Sequence, residues 1–431
     1  MWKYLAILMT GVLTSFYFFP FEFAFLPGAN TKMVMAGISL VVLGIQLAQK
    51  RNAVMNKDFF VLSLLACFVS LAGLIAVSYN ETYDYTYATY IISMWVWLGG
   101  AYLTICCIRW LHNGVSVKLI AHYLIAVCVA QCLLALLIDA SPTFKDFVNT
   151  YVAGFDWVQF DQLNRGGRLY GIGATLDGAG LRFSAVLVMI AYLCMQKETR
   201  TDNINIIVFL LAFCFIAVVG NMMARTTTMG VGISLLYWAY AWYKNKESKR
   251  VWMWLAVVIA LTIFVSIYLY YINDNFKKDI RFAFEGFFSL WEKGEWSVVS
   301  NDILMDMYVF PDNIKTWIVG DGYFDNPYYK DLYYLGPKWG GYYMATDVGY
   351  LRFIFYFGLI GLSFFLMFFG KATQICMRRF KGYGLLFLMI LSVNLIGWIK
   401  VSTDIFLVFA LFLCIDSNEN AEAEERPLIN S

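Results

Sequence analysis

Charge is scarce in this chain. Asp, Glu, Lys and Arg make up 14% of its 431 residues against 61% hydrophobic, and mean hydropathy is +0.63. A soluble domain of this size does not keep so little charge, so a bilayer must be the solvent for most of the surface. Net charge is +2 and no basic tract stands out, which leaves nucleic acid without support as a partner. Histidine is nearly absent: His112 falls in a predicted short loop and His122 inside a predicted helix, so an external general base must be a carboxylate or something weaker. None of the nine cysteines falls in the two long polar segments, about 139–180 and 273–346, which excludes an external disulfide framework. No Asp-x-Asp signature for a metal-held nucleotide sugar and no Walker loop occurs. No small-residue cleavage site follows the first apolar run, so it reads as a retained helix.

What is present is a series of apolar runs. The stretches 4–19, 32–48, 59–78, 89–108, 119–138, 181–195, 204–222, 227–243, 251–272, 348–369, 383–399 and 403–415 predict about twelve transmembrane helices in one all-α domain, 1–415. Lys and Arg gather in alternate short loops, at 50–57, 109–118, 197–200, 244–250 and 371–381, while loops 20–31 and 79–90 carry none. The basic side is therefore predicted to be cytoplasmic, with both termini on it and both long polar segments outside. The acidic tail, 416–431, is predicted to be a disordered cytoplasmic segment. Loop 79–90 is rich in tyrosine, as is 323–343, which adds Trp339. These read as an interfacial aromatic belt, or in the second loop as platforms for sugar rings.

Four outer or interfacial places could carry chemistry. Arg165-Gly-Gly-Arg168-Leu-Tyr-Gly171 leads through Asp177 and Gly178 to a helix at Arg182; its glycines let backbone approach a ligand, and its guanidiniums suit phosphate oxygens. The same residues read equally as a flexible loop at the lipid headgroups. Arg225, in the tight turn Met223-Ala224-Arg225-Thr226, runs against the positive-inside bias and so calls for a specific partner, or snorkels to headgroups. Asp347 opens a helix at the end of the long outer segment, where it is either a cap or a base, with Arg352 a turn further in. Lys400 and Asp404 flank the last outer turn and read first as a mutual ion pair.

Three of these places resemble one family, the O-antigen polymerases and ligases, or Wzy-type membrane glycosyltransferases. Arg168-Leu-Tyr-Gly171 and the helix after it resemble the family's arginine–glycine approach to a middle helix. Ala224-Arg225-Thr226 resembles its arginine turn, with alanine where serine often stands. Gly320-Asp-Gly322-Tyr323, then Asp347-Val-Gly-Tyr350-Leu351 and Phe357-Gly358-Leu-Ile-Gly361, resemble its closing signature. The ligase branch usually has histidine then asparagine where Asp347 and Val348 stand, and this chain departs from that pattern.

The resemblance covers roughly 160–370 and implies a GT-C-like fold in the bacterial inner membrane, with an active site on the outer face. It implies polymerisation of undecaprenyl-pyrophosphate-linked oligosaccharide repeat units by an inverting displacement, with no metal or other cofactor. Arg168 and Arg225, helped by Arg182 or Arg352, would hold the donor pyrophosphate, and Asp347 would be the catalytic base. Asp177, Tyr323 and Tyr350 would contact substrate. Membrane lipids and a chain-length regulator would be further partners. Glycan ligation and lipid-linked oligosaccharide transport are the rival expectations.

Overall fold

The computed structural model describes residues 2–49, 57–153, 168–244, 249–327 and 341–425. It is an all-α, membrane-embedded bundle. Among the described residues, eight helices are long and apolar enough to cross a bilayer: Thr31–Ala48, Lys57–Tyr79, Tyr90–His112, Val117–Ala140, Leu176–Cys194, Asn203–Met223, Lys249–Ile272 and Gly349–Arg379. In hydrocarbon the backbone must satisfy itself, which is why these runs are helices. The other expected spans fall on shorter or less apolar helices, Trp2–Phe18, Thr227–Lys244, Gly384–Gly397 and Phe406–Leu413. The described strands Glu22–Phe23 and Val152–Ala153 form one antiparallel pair.

Helix Leu176–Cys194 runs through the centre, and from Ala179 to Cys194 only Arg182 is not buried. Small residues let a neighbour approach it closely. A Cβ at Gly230 would lie 2.3 Å from Ser184 Cα, and Gly230 N–H donates to Ser184 Oγ at 3.0 Å. Ser184 Oγ–H in turn donates to the Thr226 carbonyl, at 3.0 Å. A Cβ at Gly180 would meet Thr226 Oγ1 at 1.9 Å. The turn carrying Arg225 is therefore seated on the helix that carries Asp177.

Helix Gly349–Arg379 is broken at Phe357 and Gly358, where Gly358 has φ +66° and ψ −174°, a region open in practice only to glycine. The carbonyls freed by the kink are taken up by the Gly320-Asp-Gly322 segment. Asp321 N–H donates to Phe355 O at 2.6 Å and Gly322 N–H to Tyr356 O at 3.1 Å. The two closing motifs are thus one structural joint. Asp321 is spent on it, accepting from Lys315 Nζ at 2.6 Å and Thr316 Oγ1 at 2.7 Å.

Two expectations are corrected here. Tail residues Ser417–Glu425 form a helix docked on the bundle; Glu419 pairs with Arg109 at 2.7 Å and Asn420 Oδ1 accepts from Val117 N–H at 2.8 Å. Residues 426–431 lie outside the described residues. The tyrosine loop 79–90 is not a belt throughout: Tyr79, Tyr83 and Tyr85 are exposed, but Tyr87 and Tyr90 are buried. Tyr87 packs edge-on against Phe324, Phe353 and Phe357, and Asp84 Oδ2 accepts from the backbone N–H of Phe324 at 3.0 Å. The loop is a foundation for 320–326, and its position follows from that.

Candidate active site

A cavity of about 950 Å³ opens where the turn at Arg225, the start of helix Leu176–Cys194 and the segment before helix Gly349–Arg379 meet. Arg168, Asp177, Arg225, Asp347 and Lys400 line it. Lys278, Arg281, Phe282, Glu285 and Ser300 line it too. These come from helices Asp274–Ala283, Glu285–Lys293 and Val299–Asp306 of the long polar segment 273–346. The first two of these helices are amphipathic. The second, Glu285–Lys293, shows apolar side chains outward, with Trp291 90% and Phe287 63% exposed, as a helix lying along a membrane surface does.

The two arginines are held by different means. Leu169 N–H donates to the Met222 carbonyl at 3.0 Å, which ties Arg168 beside the end of helix Asn203–Met223. Arg225 Nε–H donates to Phe282 O at 2.9 Å and Nη1–H to Ser300 Oγ at 3.0 Å, while the Glu285 carboxylate lies 2.7 Å from Nη1. The Phe282 ring lies under both guanidiniums, 4.2 Å from Arg225 and 5.1 Å from Arg168. An aromatic face so placed gathers two like charges that would otherwise repel.

Backbone strain marks both carboxylates. Leu176, just before Asp177, has φ +51°, and Met344 and Ala345, just before Asp347, have φ +55° and +57°. Such angles cost energy for these residue types and concentrate where a side chain must be aimed. Asp347 does not cap its helix: the N-cap position is Val348, whose N–H is taken by Thr346 Oγ1 at 3.3 Å. Its carboxyl is pushed up to about 7, by burial first and by the charge of Asp177 second; Arg352 and Lys400 pull the other way. A carboxylate in that range gives and takes protons near neutrality. Lys400 is held below the usual lysine range, by burial first; Arg225 and Arg168 act in the same direction and Asp177 and Asp347 against it.

Not every candidate reaches the cavity. Arg182 lies apart, under Phe19 at 5.7 Å and close enough to Lys32 and Asp404 to interact electrostatically. Arg352 is 5% exposed and clamped between the Phe324 and Tyr342 rings at 3.7 and 3.8 Å. It donates to Ser402 Oγ at 2.7 Å, Phe324 O at 3.1 Å and Asp325 Oδ1 at 3.1 Å; Asp347 is a looser partner at 3.9 Å. Arg352 therefore fastens the outer segment to the bundle and lines no part of the cavity. Tyr350 is likewise structural, its hydroxyl donating to Leu395 O at 2.8 Å and its ring edge-on to Trp398. Tyr323 packs on Tyr343 outside the cavity lining. Lys400 and Asp404 do not pair; Lys400 turns to the cavity and Asp404 accepts from Phe406 N–H at 2.9 Å. Arg165 and Trp339 lie outside the described residues.

Phe282, Glu285 and Lys278 carry no signal in the sequence, because long polar segments look alike until their helices are placed. Among the described residues, no group of three or more His, Cys, Asp or Glu could hold a metal ion. The arrangement can bind a polyanion against arginine and lysine, and can accept a proton beside it. No family model, curated protein or solved structure matches this chain.

Proposed function

We propose that the protein is a membrane glycosyltransferase that polymerises oligosaccharide repeat units carried on undecaprenyl pyrophosphate. The observation that carries this reading is the sharing of one cavity by Arg168, Arg225 and Asp347, with Asp177 and Lys400 between them. A sugar–pyrophosphate donor needs charge stabilisation more than a general acid, because pyrophosphate is already a good leaving group. Fixed guanidiniums at a low-dielectric boundary supply that. Asp347 takes the proton from the acceptor hydroxyl as its oxygen attacks the anomeric carbon. The carbon–oxygen bond to pyrophosphate breaks in the same step, inverting the centre, and lipid pyrophosphate leaves.

In this reading twelve helices cross the inner membrane, both termini are cytoplasmic, and the cavity faces outward. The amphipathic helix Glu285–Lys293 beside it lies along the outer leaflet, where a prenyl-linked donor arrives from the side. Arg168 and Arg225 bind the pyrophosphate. Arg182 and Arg352, expected to help them, have other partners. Glycan profiles of a deletion strain test the reading. Single-repeat glycan on the final acceptor supports the polymerase. Long glycan left on the lipid carrier indicates a ligase instead.

A second reading, a flippase for the same lipid-linked glycan, is favoured by one observation. Lys32, Arg182 and Asp404 form an interacting, enclosed charged group near the helix ends, and enclosed charge is also what a transport path uses. Scrambling of a lipid-linked oligosaccharide in liposomes, without extension, would select it.

A further inference from the structure

Lys32, Arg182 and Asp404 line no part of the candidate active site. Lys32 is in the first turn of helix Thr31–Ala48, Arg182 is about two turns into helix Leu176–Cys194, and Asp404 stands two residues before helix Phe406–Leu413. The elements around them are fastened together. The Tyr17 hydroxyl donates to Leu407 O at 2.7 Å, its ring meets Trp97 edge-on at 5.7 Å, and Phe19 packs on Phe183 at 5.4 Å. The three charged groups act on one another electrostatically, so they stand around one common space.

The two cations in it lack acceptors. Lys32 Nζ lies over the Trp97 ring at 4.1 Å, and the Arg182 guanidinium lies 5.7 Å from the Phe19 ring. An aromatic face attracts a cation but takes little of its hydrogen-bonding capacity. Among the described residues neither side chain donates a hydrogen bond or makes a direct ion pair, and Arg182 Nε is buried without an acceptor. Asp404 does not fill the gap. Its Oδ1 accepts from Phe406 N–H at 2.9 Å, and it pairs directly with neither cation. Two positive charges therefore face one negative charge held at a distance. Enclosed N–H groups in this state are costly unless an acceptor meets them. Neither Lys32 nor Arg182 is packed over completely, so there is room for one beside them.

The chemistry of the walls selects the acceptor. It must carry negative charge, need no donor of its own, and fit between bulky rings. A phosphate or carboxylate presents several oxygens that ask for donors from several directions, and here Phe19, Tyr17 and Trp97 close some of those directions. A monatomic anion makes no such demand. We propose that Lys32 and Arg182 hold a chloride ion in this space, and that Asp404 weakens its binding from nearby. The site is separate from the outer cavity and does not depend on the glycosyltransferase reading.

The test is thermal unfolding of the full-length protein in detergent, with sodium chloride replaced stepwise by sodium gluconate at constant ionic strength. The midpoint of the wild type rises with chloride and saturates, by about 2 °C at roughly tenfold over the half-effect concentration. Bromide replaces chloride. Arg182→Gln abolishes the difference between the two salts. Lys32→Gln raises the half-effect concentration and Asp404→Asn lowers it, because one removes attraction and the other repulsion; this opposed pair carries the test if Arg182→Gln is not recovered folded. Equal midpoints of the wild type in the two salts overturn the proposal. So does a chloride effect that is the same in the wild type and all variants, which would mark ion binding elsewhere on the protein.

Discussion

The Glu285 carboxylate lies 2.7 Å from the Arg225 guanidinium, in the cavity that Asp347 and Asp177 also line. Arg225 thus already faces an anion supplied by the segment 273–346. In the proposed reaction a donor phosphate would compete with that carboxylate for the same nitrogen. Glu285→Gln keeps the shape and removes the competing charge. Both side chains are partly exposed, so the pair contributes about 1 kcal/mol. The expected outcome is a donor KM lowered by roughly fivefold, measured by initial rates against donor concentration. An unchanged or raised KM would show that Glu285 supports Arg225 instead of opposing the donor.

Arg225 and Arg168 share the Phe282 ring, and their effects should be linked. Loss of one fixed donor to developing charge costs about 10²–10³ in rate. Arg225→Ala is expected to fall in that range with normal membrane levels. The double variant with Arg168→Ala should fall by less than the product of the single effects, because residues that act as a unit are not additive. Single-turnover rates of the four proteins in the cycle provide the check.

Asp347 gives two predictions of opposite sign. As a base with its carboxyl pushed up to about 7, it makes activity rise with pH through that range, and Asp347→Asn abolishes both the activity and that limb. For stability, the folded protein holds a proton there that the unfolded chain has already released. Asp347 therefore destabilises the fold progressively as pH rises from the ordinary carboxylate range toward 7, and the penalty is complete above it. Asp347→Asn should raise the thermal midpoint at pH 8 and leave it nearly unchanged at pH 4. Thermal unfolding in detergent at both pH values measures the difference.

Gly358 is the joint between the kinked helix and the Gly320–Gly322 segment. A Cβ there would lie 2.1 Å from the Ile318 carbonyl oxygen, in a backbone region that disfavours any other residue. Gly358→Ala is expected to cost about 2–4 kcal/mol and to show as reduced yield of folded protein and a lower thermal midpoint. Gly232, which has open space around it, serves as the matched control and should tolerate alanine.

The apolar runs were legible because hydrocarbon tolerates few alternatives to a helix, and each predicted span lies on one. The turn at Arg225 was legible because an arginine in a short loop on the side expected to carry few basic residues calls for a partner. What that partner was could not be read, since Phe282, Glu285 and Ser300 are 57, 60 and 75 positions away in the chain. The contacts of Arg352 and Tyr350 were hidden for a related reason. A position near the start of a helix is visible in sequence, but the face it occupies is set by packing against Phe324, Tyr342 and Trp398. The closing motif was visible as glycines and read as a family signature; its glycines serve the docking of Gly320–Gly322 on the kink at Gly358.

The most direct test is elongation of a synthetic undecaprenyl-pyrophosphate oligosaccharide by the purified protein in liposomes, resolved as a ladder of repeat lengths. The account predicts a ladder from the wild type, none from Asp347→Asn, and one slowed by about 10²–10³ from Arg225→Ala. A wild type that yields no ladder while it scrambles the substrate across the bilayer would contradict it, as would an Asp347→Asn protein that extends chains at the full rate.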